Sequence, residues 1–212
     1  MAAHEAAWSH YGPLDWWPGE GDFEIALGAI LTQNTAWTNV EKAIRNLAAD
    51  DRLTPSALGA LGDEAIAASI RPSGYFNQKT RTIRAFLAWL EARPGGTVRE
   101  KLAGPLAEVR ASLLGVRGIG PETADSILLY AADRATFVVD AYTRRVLSRH
   151  GLVDERIGYE DLRRWFEECL PADAGLFNEL HAQFVNVGKH HCHKRGPDCE
   201  GCPFVGLGPL AR

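Results

Sequence analysis

The chain has 212 residues, of which 46% are apolar and 24% charged, with a formal net charge of −4. Its size fits one sizeable core or two small lobes; no apolar run approaches the roughly 18 residues of a membrane span, and the N-terminus lacks the basic-then-apolar order of a signal peptide. A cytoplasmic protein with no membrane contact is expected, and the acidic total weighs against a nucleic-acid partner unless the charge is unevenly placed.

It is unevenly placed. Residues 1–40 carry Glu5, Asp15, Glu20, Asp22 and Glu24 with no Lys or Arg, whereas residues 71–101 carry Arg71, Lys79, Arg81, Arg84, Arg93, Arg99 and Lys101 against Glu91 and Glu100. That run reads either as a basic face or as ordinary solvated helix surface.

Ala, Leu, Arg and Glu recur without long alternation of β-branched residues, which predicts an all-α fold. "DFEIALGAILTQNTAWTNVEKAIRNLAA" reads as helix, break at "TQNT", helix. "TPSALGAL" starts a helix with Thr54 as cap and Pro55 at the first position. "DEAIAASI" stops at the turn "RPSGYFNQK". "TRTIRAFLAWLEA", "PLAEVRASLL", "PETADSILLYAA" and "AYTRRVLSRH" follow, the last closed by Gly151. "YEDLRRWFEECL", with Cys169 expected as a buried small thiol, and "AGLFNELHAQFVNVGKHH" complete the helices, ahead of an irregular Gly/Pro/Cys-rich tail.

"GVRGIG" separates two of these helices. Gly115, Gly118 and Gly120 permit positive φ and close backbone approach. Pro121 fits the first helical position, and Glu122 and Asp125 suit the positive end of the helix dipole. Exposed N–H groups beside a helix N-terminus attract an anion such as a DNA phosphate; a tight connection with no ligand has the same spacing. Asp140, twenty residues after Gly120, caps "AYTRRVLSRH".

"GVRGIGPETA" followed by "VVDAYTRRV", together with "LGAILTQNT", "SGYFNQK" and the terminal cysteines, resembles the endonuclease III superfamily of helix-hairpin-helix DNA glycosylases over nearly the whole chain. The resemblance implies two lobes. A six-helix lobe at 20–134 would carry the hairpin, and a second, built from 1–19 and 135–212, would carry the metal loop, with a pocket between them. It implies a monomeric, nucleoid-associated enzyme on double-stranded DNA containing a damaged base, with Asp140 as the essential carboxylate. Gly115, Gly118, Gly120 and Lys189 would meet the backbone, and Gln33 and Tyr75 would fill the gap left by a flipped base.

Bifunctional members place a Lys two residues after the last hairpin glycine; here that residue is Glu122, and no Lys lies between Lys101 and Lys189. A carboxylate cannot form an imine, so hydrolysis without strand cleavage is expected. "DWWPGEGDFEIALGAILTQNTAW" resembles the 3-methyladenine glycosylase III branch, which implies a base pocket of Trp16, Trp17 and Trp37 suited to a cationic alkylated purine. A uracil or thymine mismatch glycosylase, and a weakly catalytic DNA-binding protein, are the rivals.

The spacing Cys192-x6-Cys199-x2-Cys202 resembles the family's [4Fe–4S] motif, but Gly208 stands where the fourth Cys would be. A cluster on three Cys with an unidentified fourth ligand is expected. A zinc site completed by His190, His191 or His193, and an empty relic, remain open.

Overall fold

The computed structural model describes residues 1–14, 16–17, 19–49 and 52–208, so Asp15 of the acidic N-terminal run lies outside the described residues. Those residues are helical, with no strand among them. They form two compact units, Trp17–Arg134 and Met1–Trp16 with Ala135–Arg212.

The first unit is built around α2 (Asp22–Leu31), whose residues Phe23 and Ala26 to Leu31 are all buried. A helix apolar all round is a core helix. It packs against α3 (Trp37–Ala48), α6 (Phe76–Glu91), α7 (Val98–Lys101) and α9 (Pro121–Ser126). Among the described residues the segment expected to hold six helices holds eight, α4 (Pro55–Ala60), α5 (Asp63–Ser69) and α8 (Leu106–Leu114) completing the set.

Local chemistry sets these boundaries. Thr54 caps α4 by accepting the Ala57 N–H at 3.2 Å, with Pro55 at the first position. Thr97 and Glu100 form a reciprocal capping box that lets α7 exist as a single turn. α9 runs on into a π-helical turn, Ile127–Ala131, of the kind found at functional sites.

Much of the basic run 71–101 is tied into the unit, while Arg71, Arg81 and Arg99 stay exposed. Lys79 is 3% exposed and donates to the carbonyls of Leu31 and Ser73, both at 2.7 Å. Arg84 pairs with Asp63 and also donates to the carbonyls of Gly59 and Leu61. Arg93 lies over the Trp89 ring, Arg99 pairs with Asp133, and Lys101 donates to the Leu90 and Arg93 carbonyls.

The second unit contains α1 (Ala2–Tyr11), α10 (Ala141–Arg149), α11 (Tyr159–Cys169) and α12 (Ala174–His190). α12 packs against α1 and α10. Gly188 permits the closest approach, since a Cβ there would collide with the Tyr142 ring. Stacked Phe137 and Phe166, 3.7 Å apart, and the edge of Phe177 fill the space beside α12. Cys169 is exposed, not buried: it shares the face of Leu162 and Phe166 but is the last residue of α11, a turn beyond the buried Phe166.

Candidate nucleic-acid and catalytic site

α8 and α9 flank the hairpin. Of the three glycines only Gly118 uses the left-handed region, at φ 87°; Gly115 is helical, and Gly120 is the extended N-cap of α9. Gly118 is further constrained because a Cβ would collide with the Thr82 hydroxyl on α6. Val116 and Ile119 are buried and anchor the loop in the core. Asp125 does not serve the dipole as expected. It is fully buried and takes a two-pronged ion pair from Arg110, at 2.7 and 2.9 Å, which ties α8 to α9.

Gln33, in the break after α2, is held against this hairpin. Its Nε2 donates to Thr123 Oγ1 at 2.9 Å and to the Gly118 carbonyl at 3.1 Å. Tyr75 precedes α6 at φ 45° and is 67% exposed. A left-handed aromatic costs about 1–3 kcal/mol and marks a position held for a reason.

The three tryptophans fall into two groups. Trp17, at φ 74°, stacks on Tyr130 of the π turn at 4.5 Å and meets the edge of Trp37 at 5.2 Å. Gly28 supplies the floor beneath both indoles. A cavity of about 260 Å³ opens beside them, lined by Glu24, Gly28, Trp37, Glu41, Ile44 and Arg45. Trp16 belongs to the other unit, where the Lys189 ammonium sits 5.2 Å from its ring centre. The cation expected on a phosphate is thus on an aromatic face.

Asp140 caps α10, its Oδ1 accepting the Thr143 N–H at 2.7 Å. Its side chain is 14% exposed, and Oδ2 lies 3.7 Å from Nε2 of buried His181 on α12. Burial alone pushes the carboxyl up, but the His181 imidazole and the Thr143 N–H and hydroxyl outweigh it and hold it below the usual carboxylate range. An ionised, fixed carboxylate is suited to stabilise a developing cation. His181, Tyr130 and Thr123 went unseen in the sequence, since each acts through a contact remote along the chain.

In the cysteine segment, Cys192 and Cys202 are buried and Cys199 is half-buried. Burial pushes the Cys202 thiol up; the Phe204 N–H opposes this, and Cys199, Cys192 and Asp198 raise it further, so the three sulfurs lie close enough to feel one another. Among the described residues no three His, Cys, Asp or Glu side chains are gathered to hold a single metal ion. Zinc would need its thiolates about 2.3 Å from one centre; a four-iron cube holds them further apart. Tyr11 Oη is buried without a hydrogen-bond partner, its phenol pushed up by burial and by neighbouring Cys202. A cluster sulfur beside Cys202 would give that hydroxyl a partner.

Comparisons with known proteins agree with this geometry. Residues 27–172 match the HhH-GPD superfamily base excision DNA repair protein family. A Methanocaldococcus jannaschii protein named as a candidate DNA repair glycosylase is 41% identical over 92% of this chain and 89% of its own. An endonuclease III–DNA complex superposes with a TM-score of 0.80 at 22% identity, covering 97% of this chain and 91% of that one. The Helicobacter pylori 3-methyladenine DNA glycosylase bound to 1,N6-ethenoadenine superposes with a TM-score of 0.74 at 26% identity, covering 89% and 98%. With the hairpin, the capped carboxylate and these likenesses together, the chain belongs to the HhH-GPD superfamily of base excision DNA repair proteins.

Proposed function

We propose that the protein is a monofunctional DNA glycosylase that hydrolyses the N-glycosidic bond of a damaged base in duplex DNA. The observation that carries this is Asp140, a nearly buried carboxylate kept ionised at the head of α10. In the reaction the C1′–N bond breaks and its electron pair leaves on the base. The sugar becomes cationic, and a water adds to C1′ and gives up a proton. Asp140 stabilises the cation and accepts that proton. Glu122 replaces the amine that a lyase would use, so no imine forms and the strand stays intact. Gly115, Gly118 and Gly120 hold the DNA backbone, while Gln33 and Tyr75 meet the gap left by the extruded base.

Two substrate classes follow from different residues. Alkylated purines are favoured by Trp17, Trp37 and the carboxylates Glu24 and Glu41 around the cavity, which attract a cationic base. The likeness to the 3-methyladenine glycosylase supports the same class. A neutral base, uracil or mismatched thymine, is favoured by Lys189 over Trp16, since a cation already on that ring repels another. Cys192, Cys199 and Cys202 would hold a [4Fe–4S] cluster, which supplies structural closure of the tail.

The test is to incubate the purified monomer with duplexes carrying 3-methyladenine, 1,N6-ethenoadenine, uracil or a G·T mismatch and identify the released base. Enzyme-like release from one class is expected, with no covalent adduct under borohydride. No release from any duplex sinks the glycosylase reading, and an efficient borohydride adduct sinks the monofunctional one.

A further inference from the structure

Asp140 is not positioned by its own helix alone. Thr143 fixes Oδ1 through a backbone N–H. That single contact still lets the carboxylate rock about its Cβ–Cγ bond. A second contact, at Oδ2, stiffens that torsion, and the side chain facing Oδ2 is His181, 3.7 Å away on α12.

The imidazole is itself immobilised. His181 is 4% exposed, and its ring stands edge-on to Phe137, 6.5 Å between centres and 82° between planes. Phe137 is stacked on Phe166 and set edge-on to Phe177. Its backbone N–H is held by the Glu167 carboxylate at 3.0 Å, and that carboxylate is also paired with Arg163. The two helices that bear the pair are pressed together where Gly188 admits the Tyr142 ring. The imidazole is thus held in place beside Asp140.

We propose that His181 is a positioning residue for Asp140: its Nε2 faces Oδ2 and sets the orientation of the carboxylate while the sugar becomes cationic. The imidazole performs this role by setting a ring nitrogen against Oδ2. His181 from α12 and Thr143 from α10 both act on this carboxylate, and the Phe137 ring stands edge-on to the imidazole. The proposal rests on Asp140 being the catalytic carboxylate, and its test has one arm that needs no activity.

That arm is the titration of the Asp140 carboxyl carbon by NMR in the full chain and in His181→Leu and His181→Gln, each first checked for a native fold by circular dichroism. The Asp140 pKa is expected to rise in His181→Leu and to return toward the wild-type value in His181→Gln, whose amide still donates. An unchanged titration in folded His181→Leu overturns the pairing, whatever the enzyme does. The second arm is single-turnover base release and duplex affinity on the best substrate. His181→Leu is expected to lose on the order of 10-fold or more in rate, the usual scale for a group that orients a reacting one, with affinity little changed and His181→Gln partly rescued. In the Asp140→Asn background the same substitution should cost almost nothing. An equal loss in that background, or a loss confined to affinity, overturns the positioning role. Full activity of Asp140→Asn would instead sink the catalytic assignment, and the NMR arm would still decide the pairing.

Discussion

Gln33 and Thr123 join the break after α2 to the first turn of α9 through a 2.9 Å hydrogen bond. With the second bond to Gly118, the glutamine braces the hairpin. Replacing Gln33 by Leu removes both bonds, each contributing about 0.5–1.5 kcal/mol. Affinity for undamaged duplex, measured by fluorescence anisotropy, should therefore fall along with affinity for lesion duplex. A loss seen only on lesion DNA would mean that the side chain acts in the gap alone.

Asp140→Asn keeps the shape of the cap and an oxygen for the Thr143 N–H but removes the charge. Single-turnover base release should fall about 10²-fold or more, while duplex binding is largely kept. Near-normal release would end the catalytic role of this carboxylate.

Trp37→Leu and Lys189→Met separate the two substrate classes. If the base is cationic, Trp37→Leu should cost about 0.5–2 kcal/mol for the charged lesion and less for a neutral one. If the base is neutral, Lys189→Met should be tolerated by release kinetics more readily than Trp37→Leu, because the ring contact matters without the charge. Competition between 3-methyladenine and uracil duplexes reads both outcomes.

Burial holds the Lys79 amine down at about 8, against an ordinary 10.5. Below pH 8 the folded and unfolded chains both carry the proton and the penalty for burying the charge is complete. From about pH 8 to 10.5 the folded chain gives it up first, so this residue's contribution to stability rises with pH. Denaturant melts at pH 7 and pH 10 should show the wild type gaining on Lys79→Met across that window. The variant should be weaker at both pH values, since the Leu31 and Ser73 carbonyls each lose a donor at about 1–3 kcal/mol.

Elemental analysis of the purified chain should find iron and sulfide, about four of each per chain. Cys192→Ser, Cys199→Ser and Cys202→Ser should each bleach the colour. With three thiolates the cluster should oxidise in air faster than that of a four-Cys relative. Stoichiometric zinc without iron would replace it with a single-ion site, and no metal at all would leave the three cysteines as a relic.

Helices with strong end signals were legible in the sequence: Thr54 with Pro55, Pro121, and Asp140 as a cap all lie where the chain turns. The ends of α1 carry no side-chain cap, and α7 is one turn long, so neither leaves a periodic trace. The basic run misled because arginine binds backbone carbonyls as readily as phosphate, and only the packed fold shows which acceptors are nearby. Asp140 could be picked out through the resemblance, because the endonuclease III superfamily carries an Asp at that distance from the hairpin. His181 could not, since a lone histidine on an apolar helix announces nothing until a second helix brings a carboxylate to it.

α10 is nine residues long, a rod of roughly 13 Å. Its first turn orients Asp140. Its last turns grip the cysteine segment: Arg145 holds the carbonyls of Gly188 and Cys192, and Arg149 holds those of His193 and Lys194 together with the Cys192 sulfur. The cysteine segment is therefore a bearing for the shaft that aims the carboxylate. A blow to the bearing, such as oxidation of Cys192 or truncation ahead of it, lets the shaft wobble, and the aim is lost without any change at the muzzle itself.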